Sequence, residues 1–156
     1  MKTFNQLIEE ALPCIEELFP WDLEEKLASD NPPMVVDVRE EHEWNAMHID
    51  GSIFAPRGVL EQSCEWNYDE TIHELVRARD REVVVVCRSG NRSVLAACTM
   101  HILGYRKVYS LKTGIRGWND YDQPLVDKDG NEVNPDEAEV FLDNKVREDQ
   151  KGPALT

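Results

Sequence analysis

The residues best placed for chemistry are Cys87-Arg88-Ser89-Gly90-Asn91-Arg92-Ser93, which follow directly on the run Val83-Val84-Val85-Val86. Four successive β-branched apolar residues read as a strand buried on both faces. The stretch from Ser89 to Leu103 reads as a helix, with Val94, Leu95, Cys98 and Ile102 as an apolar stripe and Gly104 as a natural stop. A thiol between that strand and that helix lies outside the carboxyl end of the sheet, where α/β proteins bind ligands. Successive backbone N–H groups in such a loop form an anion nest, and the helix dipole adds partial positive charge. Both favour a thiolate over a neutral thiol, and Arg88 and Arg92 add two formal positive charges nearby. Cys87 is therefore expected to be a reactive thiolate beside an anion-binding cradle.

Loop length narrows the chemistry. Cysteine-dependent phosphatases use Cys-x5-Arg, a loop that wraps the oxygens of a phosphoryl group, whereas Cys87 to Arg92 is Cys-x4-Arg. The tighter ring suits a single atom on the cysteine, such as a sulfane sulfur held as a persulfide. A phosphatase or arsenate reductase is disfavoured on that ground.

The elements that must position this loop follow from periodicity. Met34 to Val38, after Pro32-Pro33, reads as a buried strand, and Lys107-Val108-Tyr109 as another. Residues 4 to 19 read as an amphipathic lead-in helix, Asp22 as the N-cap of a helix over Leu23 to Leu27, and Tyr68 to Arg79 as a helix. Strands alternating with helices predict an α/β fold with a mostly parallel central sheet covered on both faces. Past residue 122 the pattern changes. Pro124 to Val133 brackets an Asp-Gly turn signal and predicts a small hairpin, and Asn134-Pro135-Asp136-Glu137 opens a helix to about Val146. An EF-hand loop starting at Asp127 is excluded, because Glu132 stands where its glycine is required. The organisation expected is an N-terminal helical extension over 1–16, a central domain over 17–122, and a C-terminal hairpin, helix and tail over 123–156.

The central part resembles the single-domain rhodanese-like sulfurtransferases. Asp37-Val38-Arg39-Glu40 resembles their first strand signature, followed by Glu43-Trp44 and by His48-Ile49-Asp50-Gly51-Ser52-Ile53. Cys87 to Ser93 is similar to their active-site loop, and Leu103-Gly104-Tyr105, Val108, Leu111, Gly114 and Trp118 to their closing segment. The resemblance implies that Cys87 attacks the outer sulfur of thiosulfate, releases sulfite and holds a persulfide. Cyanide, a small thiol or a sulfur-relay protein would then accept the sulfur in a second displacement. It also implies that Arg88, Ser89, Gly90, Asn91 and Arg92 bind the donor and stabilise the persulfide, with no metal or cofactor. A persulfide carrier or regulatory module, fed by a protein donor and with little thiosulfate turnover, is the alternative. Two departures stand out: Asp50 replaces the usual Pro, and Lys112-Thr113-Gly114 replaces a common Gly-Gly, which adds the Thr113 side chain near the site wall.

Other residues receive structural expectations. Asp37 and Arg39 are read as an ion pair near the strand end, His48 as a hydrogen-bonding residue, Trp118 as a core anchor and Cys98 as core packing. Cys14 and Cys64 are read as partly exposed thiols outside any motif, and Arg57 and Arg116 as candidates for the pocket mouth. Asn91-Arg92-Ser93 matches a glycosylation acceptor pattern by accident. The 156 residues carry 17 Lys+Arg against 31 Asp+Glu, a net charge of -14. That balance argues against nucleic-acid binding, which depends on neutralising phosphates, and no apolar run reaches the roughly 20 residues that span a bilayer. Without a secretion signal or Cys-x-x-Cys pairs, a cytoplasmic location with free thiols is expected.

Overall fold

The computed structural model describes residues 1–154. The four-valine run lies at the centre of a five-stranded, all-parallel sheet. The strands are β1 (Glu16–Leu18), β2 (Met34–Asp37), β3 (Ile53–Phe54), β4 (Glu82–Val86) and β5 (Lys107–Leu111), in the spatial order β1-β5-β4-β2-β3. Helices α1 (Phe4–Ala11), α2 (Pro20–Leu27), α3 (Glu41–Ala46), α4 (Leu60–Ser63) and α5 (His73–Val76) precede the central loop. Helices α6 (Arg92–Ile102), α7 (Gly114–Asp120) and α8 (Pro135–Leu142) follow it. Among the described residues no helix is long and apolar enough to cross a membrane.

The period of two along β4 divides the core. Val83 and Val85 face a cluster with Val36, Ala96, Ala97 and Met100, while Val84 and Val86 face Leu23, Ile115 and Trp118. Both faces of the sheet are thus covered, as the continuous apolar runs require. On α6 the buried Ser93, Ala96, Ala97 and Met100 recur at helical spacing, and the small Ser93, Ala96 and Ala97 let the helix pack closely against β4 and β5. Val94 faces Ile8 and Ala11 of α1 on the other side. Ile102, expected on the apolar stripe, is 78% exposed because the sheet-facing stripe runs through 93, 96, 97 and 100 instead.

Several elements differ from their sequence expectation. The lead-in helix stops at Ala11, since Pro13 cannot continue it, and Glu16–Leu18 pairs with β5 as an edge strand. The helix after Phe19 begins at Pro20, so Asp22 sits inside its first turn. From there its carboxylate accepts the Phe19 N–H at 3.0 Å. Of Tyr68 to Arg79 only His73–Val76 is helical, because Thr71 accepts the Tyr68 N–H and donates to the Glu65 carbonyl, which fixes a turn there. Asn134 caps α8 as expected, accepting from the Asp136 and Glu137 N–H groups, but the helix ends at Leu142. The Asp127–Asn131 turn closes a minimal hairpin whose Val126 bridges both Glu132 and His48.

Register levels the ends of β2 and β4, with Asp37 opposite Val86, and this sets Val38-Arg39 beside Cys87. Asp37 and Arg39 are both fully buried. Arg39 donates through Nε and its backbone N–H to Asp37 Oδ1 at 3.0 and 3.1 Å, through Nη2 to Oδ2 at 2.9 Å, and also to the Met47 carbonyl. The pair ties the strand end to the end of α3. Removing one partner of a buried pair leaves an uncompensated charge, so Arg39→Ala is expected to lower unfolding free energy by about 3–5 kcal/mol in urea titrations. A loss below about 1 kcal/mol would show that the pair does not anchor this end of the sheet.

Candidate functional site

Cys87 is 1% exposed, at the point where β4 ends and the loop turns toward α6. Its Sγ accepts the Gly90 N–H at 3.1 Å and the Ser93 N–H at 3.3 Å, and its thiol donates to Ser93 Oγ at 3.3 Å. Ser93 Oγ lies 2.7 Å from Ser110 Oγ on β5, so a buried hydroxyl pair backs the sulfur. Ser93 belongs to the first turn of the eleven-residue α6, which adds the positive end of its dipole.

The loop's carbonyls point away from the sulfur. Cys87 C=O accepts the Ile115 N–H at 2.8 Å and Arg88 C=O accepts the Arg116 N–H at 2.9 Å, at the start of α7. Gly114 makes this approach possible: its φ is +64°, and a Cβ there would stand 2.5 Å from both carbonyl oxygens. Further along the loop, the Gly90 and Ser93 N–H groups face Sγ.

Arg92 leaves the loop toward α3, where its fork donates to both carboxylate oxygens of Glu43 at 2.9 Å. Burial pushes the Glu43 carboxyl up, but the Arg92 fork, the Glu40 backbone N–H and the Arg39 charge outweigh it and hold it at about 2. The same fork raises the pKa of Arg92 against its own desolvation.

Two cavities flank the loop, each about 570 Å³. Ser89 opens onto one, with Phe19, Trp21, Thr113, Arg116 and Tyr121. Phe19 stacks on Trp21 at 4.6 Å and Tyr121 meets Trp21 edge-on at 5.8 Å, forming an aromatic wall. Arg88 opens onto the other, with His42, Glu43, Phe141, Lys145 and Gln150. Thr113 adopts φ +71°, and its hydroxyl occupies the space a Cβ on Gly117 would need, so Gly117 is what lets a side chain replace glycine there.

The sequence profile of the rhodanese-like domain family matches residues 20–121. This chain belongs to that family. It is 34% identical over 95 residues to the "Putative sulfur carrier protein YrkF" of Bacillus subtilis, covering 60% of this chain and 45% of that protein. It is 28% identical over 116 residues to a sulfurtransferase of Allochromatium vinosum, covering 74% of this chain and 99% of that one. A solved structure from Rhodopseudomonas palustris, described as a protein of unknown function and "possible tyrosine phosphatase", superimposes with a TM-score of 0.70 at 29% identity. That alignment covers 80% of this chain and 95% of the other. The chain spans less than half of the Bacillus protein's length. The five-stranded parallel sheet with helices on both faces is the rhodanese-like fold.

Within this rhodanese-like frame the structure gathers Cys87, Gly90 and Ser93 around the sulfur. Arg88 and Ser89 line opposite cavities, Asn91 is exposed on the loop, and Arg92 is engaged with Glu43. Asp37 pairs with Arg39 as expected, His48 stacks on Trp44 at 3.5 Å with Nδ1 2.9 Å from the Trp44 carbonyl, and Trp118 is buried. Arg116 lines the aromatic cavity and pairs with Asp143, whereas Arg57 pairs with Glu61 and donates to Thr99. Cys64 is fully buried, contrary to expectation, because α4 packs it into the core; burial raises its thiol pKa. Cys98 is half-buried at the edge of the α1 contact, and Cys14 is exposed. Sequence reasoning did not single out Ser110, whose signal was a lone hydroxyl at an inward position of β5. The aromatic wall was also missed, since its residues lie about a hundred positions apart.

Two outcomes test this geometry. Gly114→Ala drives a Cβ into two backbone carbonyls, so it is expected to cost at least about 2 kcal/mol by urea midpoint. Unchanged stability would mean that α7 need not approach the loop so closely. Glu43, lowered in the folded state, contributes stability that is present above its ordinary value near 4.5 and is lost as pH falls toward 2. The stability difference between wild type and Glu43→Gln should shrink across that window, and a pH-independent difference would contradict the charged pair.

Proposed function

We propose that the protein moves a sulfane sulfur through a Cys87 persulfide, taking it from thiosulfate or a related donor and giving it to cyanide or a thiol. The observation carrying this reading is the Sγ of Cys87 at the focus of the Gly90 and Ser93 N–H groups, inside a Cys-x4-Arg loop. In the first step the Cys87 thiolate attacks the outer sulfur of thiosulfate. Its S–S bond breaks with the electron pair leaving on sulfite, and Cys87 keeps a persulfide anion. In the second step a nucleophilic acceptor attacks the outer sulfur and the electron pair returns to Sγ. A dry cradle of preorganised N–H donors stabilises the charge on the bound sulfur without reorganising. Arg88 orients the oxyanion end of the donor, and Ser89 and Asn91 flank the mouth. Arg92, its charge matched by Glu43, holds the α3 wall through its fork.

A second reading, a persulfide carrier loaded by a partner protein, is favoured by the net charge of -14, which attracts basic partners, and by the likeness to a protein named a sulfur carrier.

Intact-protein mass spectrometry of reduced wild type and Cys87→Ser, before and after thiosulfate and then cyanide, separates these. One sulfur gained by wild type, removed by cyanide and absent in the variant is the expected result. No sulfur on folded wild type with thiosulfate, but loading by a protein persulfide donor, would replace the first reading with the carrier. Hydrolysis of an aryl phosphate by wild type and not by Cys87→Ser would overturn both.

A further inference from the structure

The cavity beside Arg88 is closed on its far side by residues that follow α8, outside the 20–121 span matched by the family. Beside His42, two acids and two formal cations line it: Glu43 and Asp143, Arg88 and Lys145. The acids are already neutralised from outside the cavity lining, Glu43 by the Arg92 fork and Asp143 by Arg116 Nη2 at 3.2 Å. Among the described residues neither Arg88 nor Lys145 has an ion-pair partner. Lys145 Nζ lies 5.8 Å from the Phe141 ring centroid, a cation–π contact that leaves its N–H donors open to a ligand. A chain of net charge -14 thus leaves two uncompensated cations facing one cavity next to the Cys87 loop.

Size argues about what they hold. The cavity is about 570 Å³, and at about 30 Å³ per water-sized group the five heavy atoms of thiosulfate fill on the order of a quarter of it. A peptide-sized ligand fits the remaining volume better.

We propose that Arg88 and Lys145 form a subsite for the carboxylates of a peptide-sized thiol, the acceptor in the second half of sulfur transfer. The inference rests on the persulfide reading of Cys87. Arg88 offers a planar fork to one carboxylate and Lys145 a point charge to another. The bound thiol attacks the outer sulfur of the Cys87 persulfide anion. The Cys87 S–S bond breaks with its electron pair returning to Sγ, the thiol's proton passes to Sγ, and the acceptor leaves as its own persulfide anion. Lys145 takes no part in bond-making; it is a specificity-determining residue supplied by the C-terminal segment.

Calorimetric titration of S-methylglutathione, which binds but cannot react, into full-length Cys87→Ser tests this without turnover. Adding Lys145→Ala is expected to weaken binding about fivefold, whereas Lys145→Arg keeps it within about twofold, and added salt should weaken binding to the parent most. Equal affinity in the Lys145→Ala protein, or no binding to the parent, overturns the proposal. Lys145-dependent binding of thiosulfate with no binding of S-methylglutathione assigns the cations to the donor's oxyanion and overturns the acceptor assignment. Sulfur loading of Cys87 in wild type tests the underlying reading by itself. A protein that loads sulfur yet binds S-methylglutathione independently of Lys145 refutes only the subsite. One that binds it through Lys145 yet never loads sulfur refutes only the persulfide.

Discussion

Two backbone hydrogen bonds, from Ile115 to the Cys87 carbonyl and from Arg116 to the Arg88 carbonyl, fix the first two peptide groups of the loop against α7. A strand that ends on a loop leaves its last carbonyls and the following amides without ladder partners. Here the carbonyls are taken by the start of α7 and the amides of Gly90 and Ser93 by the cysteine sulfur. The site is therefore an answer to a satisfaction problem that any such strand end poses. The answer depends on β5 and α7 standing close enough for Gly114 to have no side chain.

The buried charges extend that logic outward. Asp37 and Arg39 fix the end of β2 to Met47 at the close of α3, and α3 carries Glu43, which receives the Arg92 fork. Arg92 in turn begins α6, whose first turn supplies the Ser93 N–H to the sulfur. Each pair matches opposite charges, though the buried Arg39 Nη1 is left without a partner among the described residues, and each sets the position of the next element. A buried pair gains little net stability over an apolar one although breaking it is costly, so its value here is geometric: two strand ends, one helix and one loop are held in register around one atom.

How much of this was legible in the sequence depended on how local the cause was. The cysteine loop, the valine strand and the Asn134 cap are set by residues within a few positions, and their reading needed only periodicity and cap chemistry. The strand Glu16–Leu18 was not legible, because three residues at a sheet edge carry no period and owe their conformation to β5, about ninety residues away. The same holds for the truncated α5, where Thr71 draws the backbone into a turn that an apolar stripe cannot reveal. At the site, Cys87 and its loop were readable as a unit. The pairing of Arg92 with Glu43 was not, since a guanidinium can point either toward the sulfur or away from it with the same sequence. Ser110 and the two cavities lay further out of reach, because each is assembled from distant segments.

That pairing also reconciles the N–H cradle around Cys87 with a strongly acidic chain. At physiological ionic strength a charge is screened over about 8 Å, so most of the 31 acidic side chains are not felt at the loop. What matters is the balance within that radius. There three acids around the loop are already matched: Glu43 by Arg92, Asp143 by Arg116, Asp37 by Arg39. Backbone N–H groups and the first turn of α6 then set the sign of the local field, and the guanidinium of Arg88 adds to it rather than being cancelled. An acidic exterior and a centre of inward N–H donors are compatible because Glu43, Asp143 and Asp37 are matched in pairs that also hold the elements in place.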